Sequence, residues 1–206
     1  MLEHVPAWLG RLLADRRAGA DTLLAAQPGM GGAGLDGAGE LTLTSPAFAD
    51  GARLPERFTA DADAAVSPPL TWTGAPEGCR LALLVEDPDA PAAQPLVHAI
   101  VWGLQGATGR LAEGAIDAGT GLTIGRNSFL QLGWLPPDPP TGHGEHRYAF
   151  QLFALAPDMP DPGDSPGRAA LADAMRGRVL AVDVLVGTYS RAEPAAAGPV
   201  GSAALA

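Results

Sequence analysis

The chain reads as a mainly β protein, a sandwich of largely antiparallel sheets with a few peripheral helices. Three observations predict this. Apolar runs of strand length recur at Leu81-Ala82-Leu83-Leu84-Val85, Val97 to Leu104, Tyr148 to Leu155 and Val179 to Val186, while Leu41-Thr42-Leu43-Thr44 alternates. Proline and glycine, 20 and 27 residues respectively, cluster between those runs and supply the turns. In the interior of the chain, one segment stands out with helix start and stop signals.

Taken in order, Leu2, Val5, Trp8, Leu9, Leu12 and Leu13 recur at three- and four-residue steps, predicting an amphipathic helix over residues 2–17. Its polar face mixes Glu3, Arg11, Asp15, Arg16 and Arg17, whereas a membrane-surface helix would be more uniformly basic. The apolar stripe is therefore expected to pack on protein. Gly29-Met30-Gly31-Gly32-Ala33-Gly34 marks a flexible connection, and no Lys-Ser/Thr pair follows to make it a phosphate loop. The expected organisation is a helix and linker over 1–40, a β domain over 41–191 and a disordered Ala/Gly/Pro-rich tail over 192–206. Within the domain the interior helix is expected near 166–176, with Ser165 as N-cap, Pro166 in its first turn and Gly177 as its stop.

Composition narrows function. The formal net charge is −10 and no Lys/Arg run is present, so nucleic acid is not an expected partner. Cys79 is the only cysteine, so no internal disulfide can form. No secretory signal is visible and no run approaches the ~20 apolar residues of a membrane span. Cytoplasm is the expected compartment, without stable membrane insertion.

The chemistry-bearing residues gather at strand ends. Asp87-Pro88-Asp89-Ala90-Pro91 follows an apolar strand, which puts two carboxylates at its end, where they can orient imidazoles. His98 opens the next strand. His146 and Tyr148 are two apart and so face one side of a strand, with Arg147 on the other as an ion-pair partner. His143-Gly144-Glu145-His146 lacks the helical zinc spacing and puts its two histidines on opposite faces of a strand, so no metal is expected and His143 reads as a solvated loop residue.

These segments, together with Ser67-Pro68-Pro69-Leu70-Thr71-Trp72, Gly125-Arg126-Asn127-Ser128-Phe129 and Val186-Gly187-Thr188-Tyr189, resemble the phosphatidylethanolamine-binding protein (PEBP) family, its bacterial Raf-kinase-inhibitor-like branch in particular. The resemblance covers about Leu41 to Arg191. It implies a PEBP-like sandwich and a pocket for a small anion such as phosphate, phosphoethanolamine or a carboxylate. Asp87, Asp89, Pro91, His98, Pro136, Asp138, His146 and Tyr148 would bind it, with His98, His146 and Tyr148 donating and the two aspartates orienting the rings. It also implies, as in some relatives, inhibition of a kinase or protease, and a homodimer as the expected assembly. No cofactor is implied. One departure is Trp134-Leu135-Pro136-Pro137-Asp138-Pro139-Pro140, where Pro136 stands in place of a family glycine and Asp138 adds a negative charge. The alternative is a hydrolase in which an Asp–His pair activates water on a bound ester, although no G-x-S-x-G nucleophile motif is present.

Overall fold

The computed structural model describes residues 11, 13, 15–30 and 41–191. The helix expected over 2–17 thus falls mostly outside the described residues, as do the Gly-rich stretch 31–40 and the tail from 192. The described strands are β1 Thr42–Thr44, β2 Leu70–Thr73, β3 Arg80–Asp87, β4 Leu96–Gln105, β5 Gly109–Leu111, β6 Thr123–Ile124, β7 His146–Leu155 and β8 Val179–Tyr189. They form two antiparallel sheets, of order β1-β2-β5 and β6-β4-β3-β7-β8. The mainly β, antiparallel class predicted from the sequence is the one observed.

The runs of β3 and β7 are almost continuously apolar because both faces of the larger sheet are covered. Leu81, Leu83 and Val85 alternate toward the core shared with the smaller sheet, beside Leu43, Trp72, Phe150 and Leu152. Ala82 and Leu84 point the other way, into a second core with Ile100, Phe153, Leu171 and Met175. Extending that alternation by one step each sends Glu86 to the second face and Asp87 to the inter-sheet face.

Two stretches cover the second face. The interior helix runs Arg168–Met175 and buries Leu171, Ala172, Ala174 and Met175. It starts later than expected: Gly167, not Ser165, occupies the N-cap, and no side chain caps it. The reason is local, since the Pro166 carbonyl is taken by the Arg126 N–H at 2.9 Å, which holds the chain extended before the helix. Gly177, at φ 69°, ends the helix as predicted.

The other cover is an N-terminal strap over residues 15–30, in which Leu24 and Met30 join the second core. Glu86, fully buried, anchors it. Its carboxylate accepts the Leu24 N–H at 2.9 Å, the Gln151 amide at 2.8 Å and the Arg168 Nε–H at 2.5 Å. Gln151 in turn accepts the Ala25 N–H, and Arg168 donates to the Thr22 carbonyl. A buried carboxylate is tolerated here because its charge is paired and its lone pairs are filled.

Candidate functional site

At one end of the larger sheet a β-bulge fixes the key side chain. Val85 pairs with Ala99 and Glu86 with Val97, so β4 carries one extra residue, His98, opposite that step. Bulges re-aim side chains in this way. His98 faces a cavity of about 250 Å³ that Asp87, Pro91, Phe129, Pro136, Asp138 and His146 also line. Its Nδ1–H donates to the Leu135 carbonyl at 2.6 Å, and the Leu135 N–H returns a bond to the His98 carbonyl at 2.8 Å. This pins the ring and its tautomer. Nε2 is left buried without a hydrogen-bond partner among the described residues. Burial lowers the His98 pKa below the ordinary imidazole value, outweighing the pull of Asp87 and of the Leu135 carbonyl in the other direction. The free ring is therefore neutral at neutral pH and offers a lone pair to the cavity.

Tyr148 meets His98 edge-on, ring centroids 5.0 Å apart. Its hydroxyl is buried and has no partner among the described residues. Burial, then the charges of Asp87, Asp138 and Asp89, pushes its pKa well up, so it stays a neutral O–H able to donate.

The remaining polar residues form a closed chain. Asp87 accepts the Asp89 N–H at 2.7 Å through one oxygen and His146 Nδ1 at 2.7 Å through the other. His146 Nε2 lies 2.7 Å from His143 Nδ1, and His143 Nε2 lies 2.8 Å from the Leu13 carbonyl. A proton count follows. These three contacts need three protons shared by Asp87 and two rings, which makes the chain neutral overall. Burial, then the neighbouring His146, lowers the His143 pKa. The arrangement consistent with that has a neutral His143 that accepts from His146 at Nδ1 and donates from Nε2 to the Leu13 carbonyl of the strap.

Several expectations are corrected by this geometry. His146 lines the cavity, but both its nitrogens are engaged by protein, so neither is free to donate to a ligand as expected. The same occupancy leaves an Asp87–His146 pair without a ring nitrogen to activate water. Asp89 does not line the cavity or orient an imidazole. It accepts Arg147 N–H, Nε–H and Nη2–H, each at 2.8 Å, and pairs with Arg17 at 2.8 Å. Burial would raise its pKa, but the bonds from Arg147 and Arg17 outweigh that and hold it well below the usual carboxylate range. Arg147 thus takes the ion-pair role expected of it. Asp138 lines the cavity, yet its charge is countered by Arg191, which also pairs with Asp61 at 2.9 Å. His143, expected in solvent, is buried at 1% exposure. Gly142 and Gly144, at φ 85° and 93°, curl the loop so that its ring reaches His146.

The family profile described as Phosphatidylethanolamine-binding protein matches residues 44–190. The chain belongs to the PEBP family. A UPF0098 protein of Mycobacterium tuberculosis is 43% identical over 149 residues, covering 72% of this chain and 70% of the relative. A UPF0098 protein of Methanothermobacter thermautotrophicus is 38% identical over 156 residues, 73% of this chain and 99% of that one. Among solved structures, the PEBP homolog CT736 of Chlamydia trachomatis superposes with a TM-score of 0.67 at 33% identity, covering 75% of this chain and 99% of the other. YbcL of E. coli gives 0.66 at 28% identity, over 74% and 99%. In this PEBP chain, sequence reasoning missed two contributors to the site, Arg17 and His143. The charge of the first and the H-x-x-H spacing of the second were visible signals, but the contacts of Arg17 with Asp89 and the Glu145 carbonyl, and of His143 with the Leu13 carbonyl, are made only through the fold. Among the described residues no helix is long and apolar enough to cross a membrane, and no cluster of three or more His, Cys, Asp or Glu could hold a metal ion.

Proposed function

We propose that this PEBP protein is a cytoplasmic binding protein for small molecules with a phosphoryl or carboxyl head group, and that ligand occupancy serves the regulatory role implied by the resemblance. One observation carries the reading. His98 Nε2 is a buried ring nitrogen in a lined cavity, and the Tyr148 ring meets His98 edge-on; neither that nitrogen nor the buried Tyr148 hydroxyl has a partner among the described residues. Unsatisfied buried polar groups are costly, so two together favour a ligand that completes them. Tyr148 donates to a ligand oxygen. Neutral His98 needs a donor in return, which a hydrogen-phosphate, a phosphomonoester monoanion or a carboxylic acid supplies. Pro91, Phe129 and Pro136 exclude water around that contact. The cavity suits a head group rather than a large ligand, since it is smaller than the ~300–1,000 Å³ of drug-sized sites.

The head group and His98 share one proton, so the complex holds a proton that the fully ionised ligand and the free protein lack. Calorimetry with phosphoethanolamine and acetate, whose phosphoryl and carboxyl groups are ionised at pH 8, should show proton uptake on binding in buffers of differing ionisation enthalpy. Phosphate, present there as hydrogen-phosphate, brings its own proton and should show little. His98→Gln should remove most of the uptake. Binding of phosphoethanolamine and acetate without proton uptake, or unaffected by His98→Gln, would overturn the reading.

A further inference from the structure

Beyond the cavity at His98, a second groove of about 600 Å³ opens on the other side of Ala92 and Leu96, and no part of the proposed function uses it. Arg126, Asn127, Ser128, Gly167 and Arg168 are among its lining residues. We infer that this groove is a second binding site, for a small fully ionised oxyanion of the phosphoryl or sulfuryl type.

Asn127 points to a ligand. It is 3% exposed, and its Oδ1 is occupied by the Phe129 and Gln131 N–H groups at 2.9 and 3.1 Å. Those bonds turn the oxygen into its own loop. The amide nitrogen of this groove-lining residue is buried and has no hydrogen-bond partner among the described residues. A buried amide donor left open costs free energy unless something accepts from it.

Two further sources of positive potential, the helix N-terminus and Arg126, adjoin it, together with the Glu86-paired guanidinium of Arg168. The helix Arg168–Met175 begins at the groove, and its first in-helix N–H bond is that of Leu171 to the Gly167 carbonyl at 3.1 Å. The N–H groups of residues 168–170 therefore precede the helical ladder, and no side chain caps them. The Arg126 side chain is exposed and makes no hydrogen bond or ion pair among the described residues. Arg168 adds a guanidinium whose Nε and Nη2 are fixed by Glu86 and Thr22, so it is held in place before any ligand arrives. The frame is rigid: the Arg126 N–H binds the Pro166 carbonyl at 2.9 Å, and Ser128 and Val97 bond each other twice, at 3.0 and 2.8 Å. At Gly125 a side chain would collide with the Pro166 carbonyl, at 2.3 Å from an added Cβ, so glycine is what lets the two walls meet.

The two sites differ in chemistry. The His98 cavity offers one lone pair and one donor, and requires a proton from its ligand. The groove offers donors and positive charge only, and requires none. Sulfate, which holds no proton at neutral pH, should therefore separate them.

The test is a sulfate titration of the full chain at pH 8, followed by amide NMR. Sulfate should shift the amides of residues 126–128 and 168–170 in a saturable way and leave His98 unmoved. Asn127→Asp keeps the Oδ1 that folds the loop and replaces the donor with a charged acceptor, so it should abolish the shifts. Arg126→Gln, at an exposed position that does not threaten folding, should weaken sulfate about tenfold, the size of one lost charge-assisted bond. His98→Gln should leave sulfate binding intact, so failure of the first site and of the second are distinguishable. Absence of saturable shifts at these amides, or equal sulfate affinity in the wild type and both groove variants, would overturn the inference.

Discussion

Replacing His143 with alanine should destabilise the folded chain by about 3 kcal/mol, although the residue does not line the His98 cavity. The figure is built from two contacts. Removing the ring leaves the buried His146 Nε2–H without its acceptor, at a cost of roughly 1–3 kcal/mol; the bond to the Leu13 carbonyl joins neutral groups and is worth roughly 0.5–1.5 kcal/mol. The first is buried and the second partly buried, so water does not readily replace them. The substitution also cuts one tie between the strap and the β domain, leaving Arg17 and the Ala18 and Gly19 N–H bonds to Ala90 and Pro88 to hold that end. Urea unfolding followed by tryptophan fluorescence should show a lower midpoint with an unchanged m value. A loss below about 1 kcal/mol at constant m would refute the hydrogen-bonded chain from Asp87 to Leu13 as a stabilising feature.

Tyr148→Phe should behave in the opposite sense: without ligand, stability should hold or rise, because a buried hydroxyl with no partner among the described residues is removed, while phosphate affinity should fall about tenfold. Urea midpoints and calorimetry on one variant check both halves. For pH, His98 and His143 have folded pKa values below the ordinary ~6.5, so just below that value the unfolded chain binds more protons. Their contribution is present above pH ~6.5 and is lost as pH falls through the folded values. The urea midpoint should therefore drop from pH 7 to 5, and a rise over that interval would contradict the burial of neutral rings. Asp89, held low by Arg147 and Arg17, should keep its contribution at pH ~3.9 and lose it only as pH falls further. We further propose that the Leu/Trp face of residues 2–17 pairs two copies of the chain. Sedimentation should then give a dimer for the full chain and a monomer when residues 1–10 are removed.

Much of the fold was legible because the long strands carry their own pattern: β3, β4, β7 and β8 are runs that few other structures would accommodate. The short strands β5 and β6 were not, since three and two residues hold no period. Asp87, His98 and Tyr148 could be singled out from strand ends and family resemblance. What each does could not. The cavity-facing direction of His98 depends on a bulge against β3, and no local signal in Val97-His98-Ala99 encodes an extra residue. The engagement of His146 depends on His143 and Leu13, and the diversion of Asp89 depends on Arg17. Glu86 and Gln151 interrupt apolar strands as if misplaced, and only the strap at residues 22–25 and Arg168 explain them. Partners distant in sequence decided these roles.

The central claim is that a bound head group completes His98 Nε2. ¹⁵N NMR of the histidine rings, with and without saturating phosphate, tests it most directly. The free protein should show His98 protonated at Nδ1 alone, with Nε2 at the shift of an unprotonated nitrogen. Phosphate should move Nε2 strongly toward the hydrogen-bonded or protonated position and leave Nδ1 on the Leu135 carbonyl. If phosphate binds to saturation while the His98 Nε2 resonance stays where it was, the head group is not held by this ring and the account of the cavity is wrong.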